Sequence, residues 1–160
     1  DGMFAKACTD VSKDYPDITF EEMYVDACAM NLIRQPEQFD VVVTTNLFGD
    51  ILSDESSQVV GGLGMAPAAN IGDKFALFEP VHGAAFDIAG KNIANPSSFL
   101  LSIKMMFDWL GKKHNDAKCI EVGQKLESTI FDLVKTGVKT KDIGGDASTS
   151  EFTKQMTDNL

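Results

Sequence analysis

Residues 39–45, FDVVVTT, are, Asp40 apart, a continuous apolar and β-branched run. Such a run marks a strand buried on both faces, because a half-solvated strand alternates polar with apolar residues. A second run, residues 75–81 (FALFEPV), reads as another buried strand, and its Pro80 marks an end or an edge. Both runs lead into stretches dense in chemistry-bearing side chains. After the first, Asn46-Leu47-Phe48-Gly49 turns the chain and residues 50–60 (DILSDESSQVV) read as a helix. Asp50 and Asp54 then share one helical face, one turn apart. Like charges so placed repel by a few tenths of a kcal/mol (about 0.2–0.5) on a bare helix. A solvated helix start is often acidic; equally, a divalent cation such as Mg²⁺ or Mn²⁺, which prefers oxygen ligands, would relieve the repulsion. Both readings stand on spacing alone.

The second run is followed by His82-Gly83-Ala84-Ala85, then Asp87, Ile88 and Ala89-Gly90-Lys91. Small residues let a ligand approach the backbone closely. Asn95-Pro96 reads as a helix start, with Asn at the cap and Pro at the first position. That helix carries Phe99, Leu100, Ile103, Met106, Phe107 and Leu110 and is expected to stop at Gly111. A single His is often a structural hydrogen-bonder and a loop Asp a turn residue. The crowding of His, small residues, Asp and a helix N-terminus into one short stretch favours a binding loop.

The remaining segments read as scaffold. Residues 2–13 have helical apolar spacing at Phe4, Ala7, Cys8 and Val11, and Pro16 closes them. Residues 17–20 read as a short strand. Residues 21–35 form a helix with Met23, Ala27, Met30 and Leu32/Ile33 on its apolar face and Asp26 at the edge of that face. Asp26 is either a boundary residue facing solvent or a carboxylate reaching a site where the Met-rich face meets another subunit. Residues 61–74 are a Gly-, Pro- and Asn-rich loop. Its Gly62-Leu63-Gly64 lacks the third glycine of a Rossmann fingerprint. A long helix covers residues 116–136, with Ile120, Val122, Leu126, Ile130, Leu133 and Val134 as its buried stripe, and Gly137 closes it. Ser148 and Glu151 have capping-box spacing ahead of a short final helix, residues 151–158.

Net charge is −10, with 24 acids against 14 bases, which excludes a nucleic-acid partner needing a basic footprint. No apolar run is long enough to span a bilayer. The 3 cysteines, Cys8, Cys28 and Cys119, fit no metal-ligand spacing. They read as free thiols, Cys28 and Cys119 on apolar helical faces, in a reducing, cytoplasmic compartment. The 160 residues suffice for one compact domain or part of a larger one. The opening Asp1-Gly2-Met3-Phe4 reads as the interior of a longer sequence. Arg34 is the only arginine, so any anionic ligand needs a metal, a helix N-terminus or arginines from elsewhere.

NLFGDILSD, GGLGMAPAANIGD and ALFEPVHGAAFDIAGKNIANP together resemble the β-decarboxylating dehydrogenases, namely 3-isopropylmalate, isocitrate and homoisocitrate dehydrogenases. The helix YVDACAMNLIRQP and the closing GGDASTSEF extend the resemblance over essentially the whole chain. It implies an α/β, non-Rossmann fold of the isopropylmalate/isocitrate dehydrogenase type, of which this chain is similar to the C-terminal portion of a two-domain subunit. Residues 1–60 would belong to a dimer-forming small domain with the metal carboxylates, and residues 61–160 to a large domain with the cofactor loop. It implies a homodimer or larger homo-oligomer that oxidises a small 2-hydroxy acid with NAD or NADP and removes its β-carboxylate.

By the same resemblance Asp50, Asp54 and, from the neighbouring subunit, Asp26 hold Mg²⁺ or Mn²⁺ and are the catalytic carboxylates. The ion polarises the substrate hydroxyl and stabilises charge developing on that oxygen, with Asp50 sharing in proton relay. Glu79, His82, Gly83, Ala84, Ala85, Asp87 and Ile88 line the cofactor site, and Asn95 contacts adenine. Asp87 points to NAD, since a carboxylate accepts from ribose hydroxyls and repels a 2′-phosphate; NADP-using relatives carry Lys-Tyr at the Asp87-Ile88 pair. Phe86 and Ala84 depart from the usual Pro and Ser/Thr, which puts the loop's shape in question. The family's catalytic Lys and Tyr, arginine cluster and substrate-selecting helix match segments preceding Asp1, so this chain alone is not expected to turn over substrate. AAFDIAGKNI and GGDASTSEF favour an archaeal-type 3-isopropylmalate enzyme, hence leucine biosynthesis. Isocitrate or homoisocitrate dehydrogenase and a non-catalytic regulatory subunit of isocitrate dehydrogenase are the alternatives.

Overall fold

The computed structural model describes residues 2–160; Asp1, with which the DGMF opening begins, lies outside them. The chain divides into two compact units, Asp1–Val59 and Val60–Leu160.

The first unit holds three helices: α1 (Gly2–Ser12), α2 (Val25–Arg34) and α3 (Asn46–Val59). Helix α2 packs against α3, and its core is small: Cys28, Leu32 and Leu52, with Ala29 and Phe39 alongside. The α2 face differs from the expected one. Cys28 and Leu32 are buried, whereas Met23, Met30 and Ile33 are exposed. The helix also begins at Val25 rather than residue 21, so Glu21 and Glu22 lie ahead of it and Asp26 is the acid in its first turn. Burial of the Cys28 thiol pushes its pKa up, with the Glu55 carboxylate adding to the effect.

Neither expected strand of this unit forms. Residues 17–20 and 41–45 are irregular, and Val41 and Val43 are 82% and 68% exposed. A strand is held by inter-strand hydrogen bonds, and among the described residues none pairs with either segment. The apolar β-branched run is therefore sticky surface in this chain rather than core. Helix α3 starts four residues earlier than expected, with Gly49 N–H donating to Thr45 O at 2.8 Å. The Asn-Leu-Phe-Gly stretch read as a turn is its first turn.

The second unit is a two-stranded antiparallel sheet against a helical layer. Strand β1 (Pro67–Ile71) pairs with β2 (Ala76–Pro80), Pro67 facing Pro80 and Ile71 facing Ala76. The expected 61–74 loop thus contains a strand. The expected 75–81 strand is real but shorter and not buried, since Leu77 and Glu79 are exposed. Two prolines at facing ends fit the ladder because each end needs no further N–H.

Helix α4 (Ser97–His114) packs on both strands, and α5 (Ala117–Lys135) packs along α4. Phe78 of β2 meets Trp109 edge-on at 6.1 Å, and Lys113 Nζ lies 4.2 Å from the Trp109 ring centre. Helix α4 does not stop at Gly111. It runs on to His114 and is closed by Asn115 at φ 52°. Gly111 lies buried where α5 crosses, and a Cβ there would stand 2.5 Å from Ile120 Cδ1. The glycine is a packing residue, not a stop.

Asp116 caps α5 by accepting from the Lys118 and Cys119 N–H groups. Lys104 of α4 pairs with Asp108 and with Glu127 of α5, each at 3.1 Å. Burial works against the Lys104 charge, but these hydrogen bonds outweigh it and hold the pKa above the ordinary lysine value. The core collects Met65, Leu101, Leu126, Ile130, Leu133, Phe152 and Met156. Val122, expected in the buried stripe, is 42% exposed. Helix α6 (Thr149–Asn159) begins with the expected capping box, two residues before the expected start. The thiols are free, Cys28 buried but Cys119 and Cys8 only half-buried. Among the described residues no helix is long and apolar enough to cross a membrane.

Candidate metal and cofactor sites

Helix α3 sets the metal candidates. Its rise of about 1.5 Å per residue and 3.6 residues per turn put Asp50 and Asp54 on one face, and both are exposed. The hydroxyls beside them turn inward: Ser53 donates to Asp50 O at 3.0 Å and Ser57 to Asp54 O at 2.7 Å. These bonds use the backbone and leave the carboxylates alone. Among the described residues no ion pair engages either carboxylate. Asp26 lies in the first turn of α2, where its Oδ1 accepts from Ala27 N–H at 2.8 Å. Among the described residues no three His, Cys, Asp or Glu side chains gather into a cation-binding group. One copy of the chain thus presents a pair, Asp50 and Asp54, and holds Asp26 apart. The donor chemistry suits Mg²⁺ or Mn²⁺, which take one or two carboxylates and fill the rest of the shell from elsewhere.

The cofactor candidates lie in the second unit, on the loop from β2 to α4. Glu79 is fixed at the end of β2: its carbonyl accepts from Ser102 Oγ at 2.8 Å and its carboxylate from Asn70 Nδ2 at 3.4 Å. Half-buried His82 folds back with Nδ1 2.9 Å from Gly83 O. Gly83, Ala84 and Ala85 are exposed, and a Cβ added at Gly83 meets nothing within 4 Å. Ala85 adopts φ 45°, ψ 55° and opens a 3₁₀ turn, Phe86–Ile88, closed by Ile88 N–H to Ala85 O at 3.0 Å. A left-handed alanine costs about 1 kcal/mol. The turn holds Asp87 exposed and Ile88 half-buried. Phe86 stands in solvent at 88% exposure.

Asn95 ends the loop. It lies one residue ahead of the helix boundary at Pro96, and its Oδ1 accepts from Ser97 N–H at 2.9 Å. Ser97 is fully buried and its Oγ has no partner among the described residues. The open backbone at residues 83–85, an exposed carboxylate and an orphaned hydroxyl at a long helix N-terminus fit a dinucleotide. Residues 82–88 carry no Lys or Arg to meet a 2′-phosphate.

Sequence reasoning missed the partners of this loop. Asp142, 47 residues from Asn95, accepts from its Nδ2 at 3.0 Å. Thr149 and Ser150 bond Asn92 and Ala94. No local pattern announces such pairs.

The sequence profile described as isocitrate/isopropylmalate dehydrogenase matches residues 1–160. The chain belongs to that family. It is 53% identical to the 3-isopropylmalate dehydrogenase of Sulfurisphaera tokodaii over its full length, covering 47% of that protein. It is 48% identical to the isocitrate/homoisocitrate dehydrogenase of Thermus thermophilus, with 99% of this chain and 46% of that one covered. The solved isocitrate dehydrogenase of Methylococcus capsulatus superposes with a TM-score of 0.90 at 39% identity, over 99% of this chain and 45% of that one. The isocitrate/isopropylmalate dehydrogenase fold expected from the motifs is thus the one observed. The chain spans about half the length of the curated relatives it matches.

Proposed function

We propose that the protein carrying this chain is an NAD-dependent β-decarboxylating dehydrogenase of a 2-hydroxy acid, with 3-isopropylmalate the favoured substrate. The observation that carries the reading is the Asp50–Asp54 pair: two carboxylates one turn apart on α3, exposed and, among the described residues, without an ion partner. A regulatory subunit that had lost catalysis would have no need to keep both carboxylates. Asp50 and Asp54, joined by Asp26 of a second copy, hold Mg²⁺ or Mn²⁺, which when bound supplies Lewis-acid polarisation of the substrate hydroxyl. By the resemblance Asp50 shares in relaying the proton of that hydroxyl.

NAD, when bound, supplies the hydride acceptor. Glu79, His82, Gly83, Ala84, Ala85 and Ile88 line its site, Asp87 accepts from its ribose hydroxyls, and Asn95 meets its base. The motif wording and the identity to archaeal 3-isopropylmalate dehydrogenases support the substrate choice. Isocitrate or homoisocitrate is the second reading, supported by relatives of nearly the same identity bearing those names. A homodimer in the cytoplasm fits the exposed Met-bearing face of α2 and the free thiols.

The protein at its full natural length tests this. Calorimetric titration with Mn²⁺ is expected to show a site that Asp50→Asn and Asp54→Asn each weaken at least tenfold; an unchanged isotherm in both refutes the metal assignment. Steady-state kinetics are expected to give a higher kcat/KM with NAD than with NADP, and with 3-isopropylmalate than with isocitrate or homoisocitrate. A preference for NADP would overturn the role given to Asp87.

A further inference from the structure

The descending limb of the loop, residues 92–95, is held from outside by a segment the reading above leaves without a role. Asn95 is 9% exposed, and both ends of its amide are engaged: Oδ1 by Ser97 N–H at 2.9 Å and Nδ2 by Asp142 Oδ2 at 3.0 Å. Flipping the amide would set oxygen against carboxylate and NH₂ against N–H, so one orientation is locked. Asp142 is itself fixed, since its other oxygen accepts from the fully buried Thr140 hydroxyl. Gly64 closes the third side. A Cβ there would stand 2.6 Å from Asp142 Oδ2 and 3.0 Å from Asn95 Cβ.

Three residues upstream, Asn92 at φ 55° is held as firmly. Its Nδ2 donates to Ser150 Oγ at 2.8 Å, its Oδ1 accepts from Ser150 N–H at 3.1 Å, and its carbonyl accepts from Thr149 N–H at 3.0 Å. Thr149 Oγ1 donates to Ala94 O at 2.6 Å. With its side chain consumed, Asn95 has its peptide group left to offer a ligand. Neither its N–H nor its C=O pairs with another backbone group among the described residues.

We propose that Asp142 is a positioning residue for the base end of the dinucleotide, and that residues 140–150 form the wall that sets Asn92 to Asn95 in the shape the cofactor meets. The inference rests on the NAD reading of this loop. Asp142 does not touch the cofactor; it acts through Asn95, whose peptide N–H and C=O recognise a purine-like donor–acceptor edge. A merely structural strut would lower the amount of folded protein and leave the affinity of what remains unchanged.

The test uses the full-length protein, with Asp142→Ala, Asp142→Asn and Ser150→Ala. In the ligand-free state, hydrogen exchange at residues 91–95 is expected to rise in Asp142→Ala while α5 amides stay as in wild type. The calorimetric Kd for NAD is expected to weaken about tenfold, the size of one charge-assisted hydrogen bond. KM for NAD should follow, with kcat at saturating NAD within about twofold, the signature of lost uniform binding. Asp142→Asn retains one acceptor and is expected to recover part of the affinity. A wild-type Kd in Asp142→Ala overturns the proposal, as does a fall in kcat and thermal stability with Kd unchanged. Should Asp142→Ala fail to fold, wild-type Kd values in both other variants overturn it equally. Absence of NAD binding by the wild type defeats the cofactor reading itself, and the assigned role with it.

Discussion

Gly145 shows how much one hydrogen atom can carry. A Cβ there would stand 2.1 Å from the Lys139 carbonyl oxygen and 2.4 Å from Lys139 Cβ. That approach lets Gly145 N–H reach Thr140 O at 3.0 Å and Ala147 N–H reach Lys139 O at 2.9 Å. The loop that closes this way presents Thr140 and Asp142 to Asn95. Gly145→Ala therefore forces a backbone shift and is expected to cost about 2–3 kcal/mol. Gly137, at φ 96° with open space around it, pays only left-handed strain, about 1 kcal/mol as alanine. Urea unfolding of the two variants should rank Gly145→Ala as clearly the worse; equal midpoints would mean the close 139–145 approach does not govern stability here. Residue types were the legible part of the site. Asp50, Asp54, His82, Asp87 and Asn95 show themselves as candidates by kind and neighbourhood. Asp142 does not, because its meaning is its contact with a residue 47 positions away.

Elements were legible where their signals are local. The α6 start was read from Ser148 and Glu151 because both halves of a capping box lie within one turn. In the structure Ser148 Oγ accepts from Glu151 N–H at 3.2 Å, and Glu151 Oε2 accepts from Ser148 N–H at 2.8 Å and from its hydroxyl at 2.7 Å. Ser148→Ala removes the cap and is expected to lower stability by about 1 kcal/mol in chemical denaturation. The backbone N–H of Ser148, then its hydroxyl, hold the Glu151 carboxyl below its ordinary pKa. A depressed folded-state pKa gives stability that is fully present above the unfolded value, about 4.3 for Glu, and lost as pH falls through the folded value. Glu151→Gln should thus flatten the stability profile below about pH 4.3 and change its slope little between pH 5 and 8; a slope change confined to neutral pH would contradict this origin. Strands were illegible for the converse reason. FDVVVTT has strand composition but no partner among the described residues, and PAANI pairs with β2 despite a composition that announces a loop.

At the scale of the molecule the two units differ in what holds them. The second buries seven apolar side chains in one cluster, spanning α4, α5, α6 and Met65. The first buries three, Cys28, Leu32 and Leu52, while α1 buries none among the described residues. It leaves Met3, Tyr24, Ile33, Val41, Val43, Leu47 and Ile51 more than half exposed, so apolar area remains for a neighbouring surface to cover. Local stability follows the density of buried contacts. Backbone amides in α4 and α5 are therefore expected to exchange slowest, those of α2 and α3 faster, and those of α1 and residues 39–45 near the intrinsic rate. The assembly proposal makes this pattern concentration-dependent. If a second copy covers the exposed α2 face and brings Asp26 to the Asp50–Asp54 pair, association stabilises the first unit by mass action. Protection at Met30 and Ile33 should then climb as protein concentration rises, and climb further with Mn²⁺, while protection at Ile130 stays level. Exchange in α2 that ignores both concentration and Mn²⁺ would remove the partner from the metal site and leave Asp26 an ordinary solvent-facing acid.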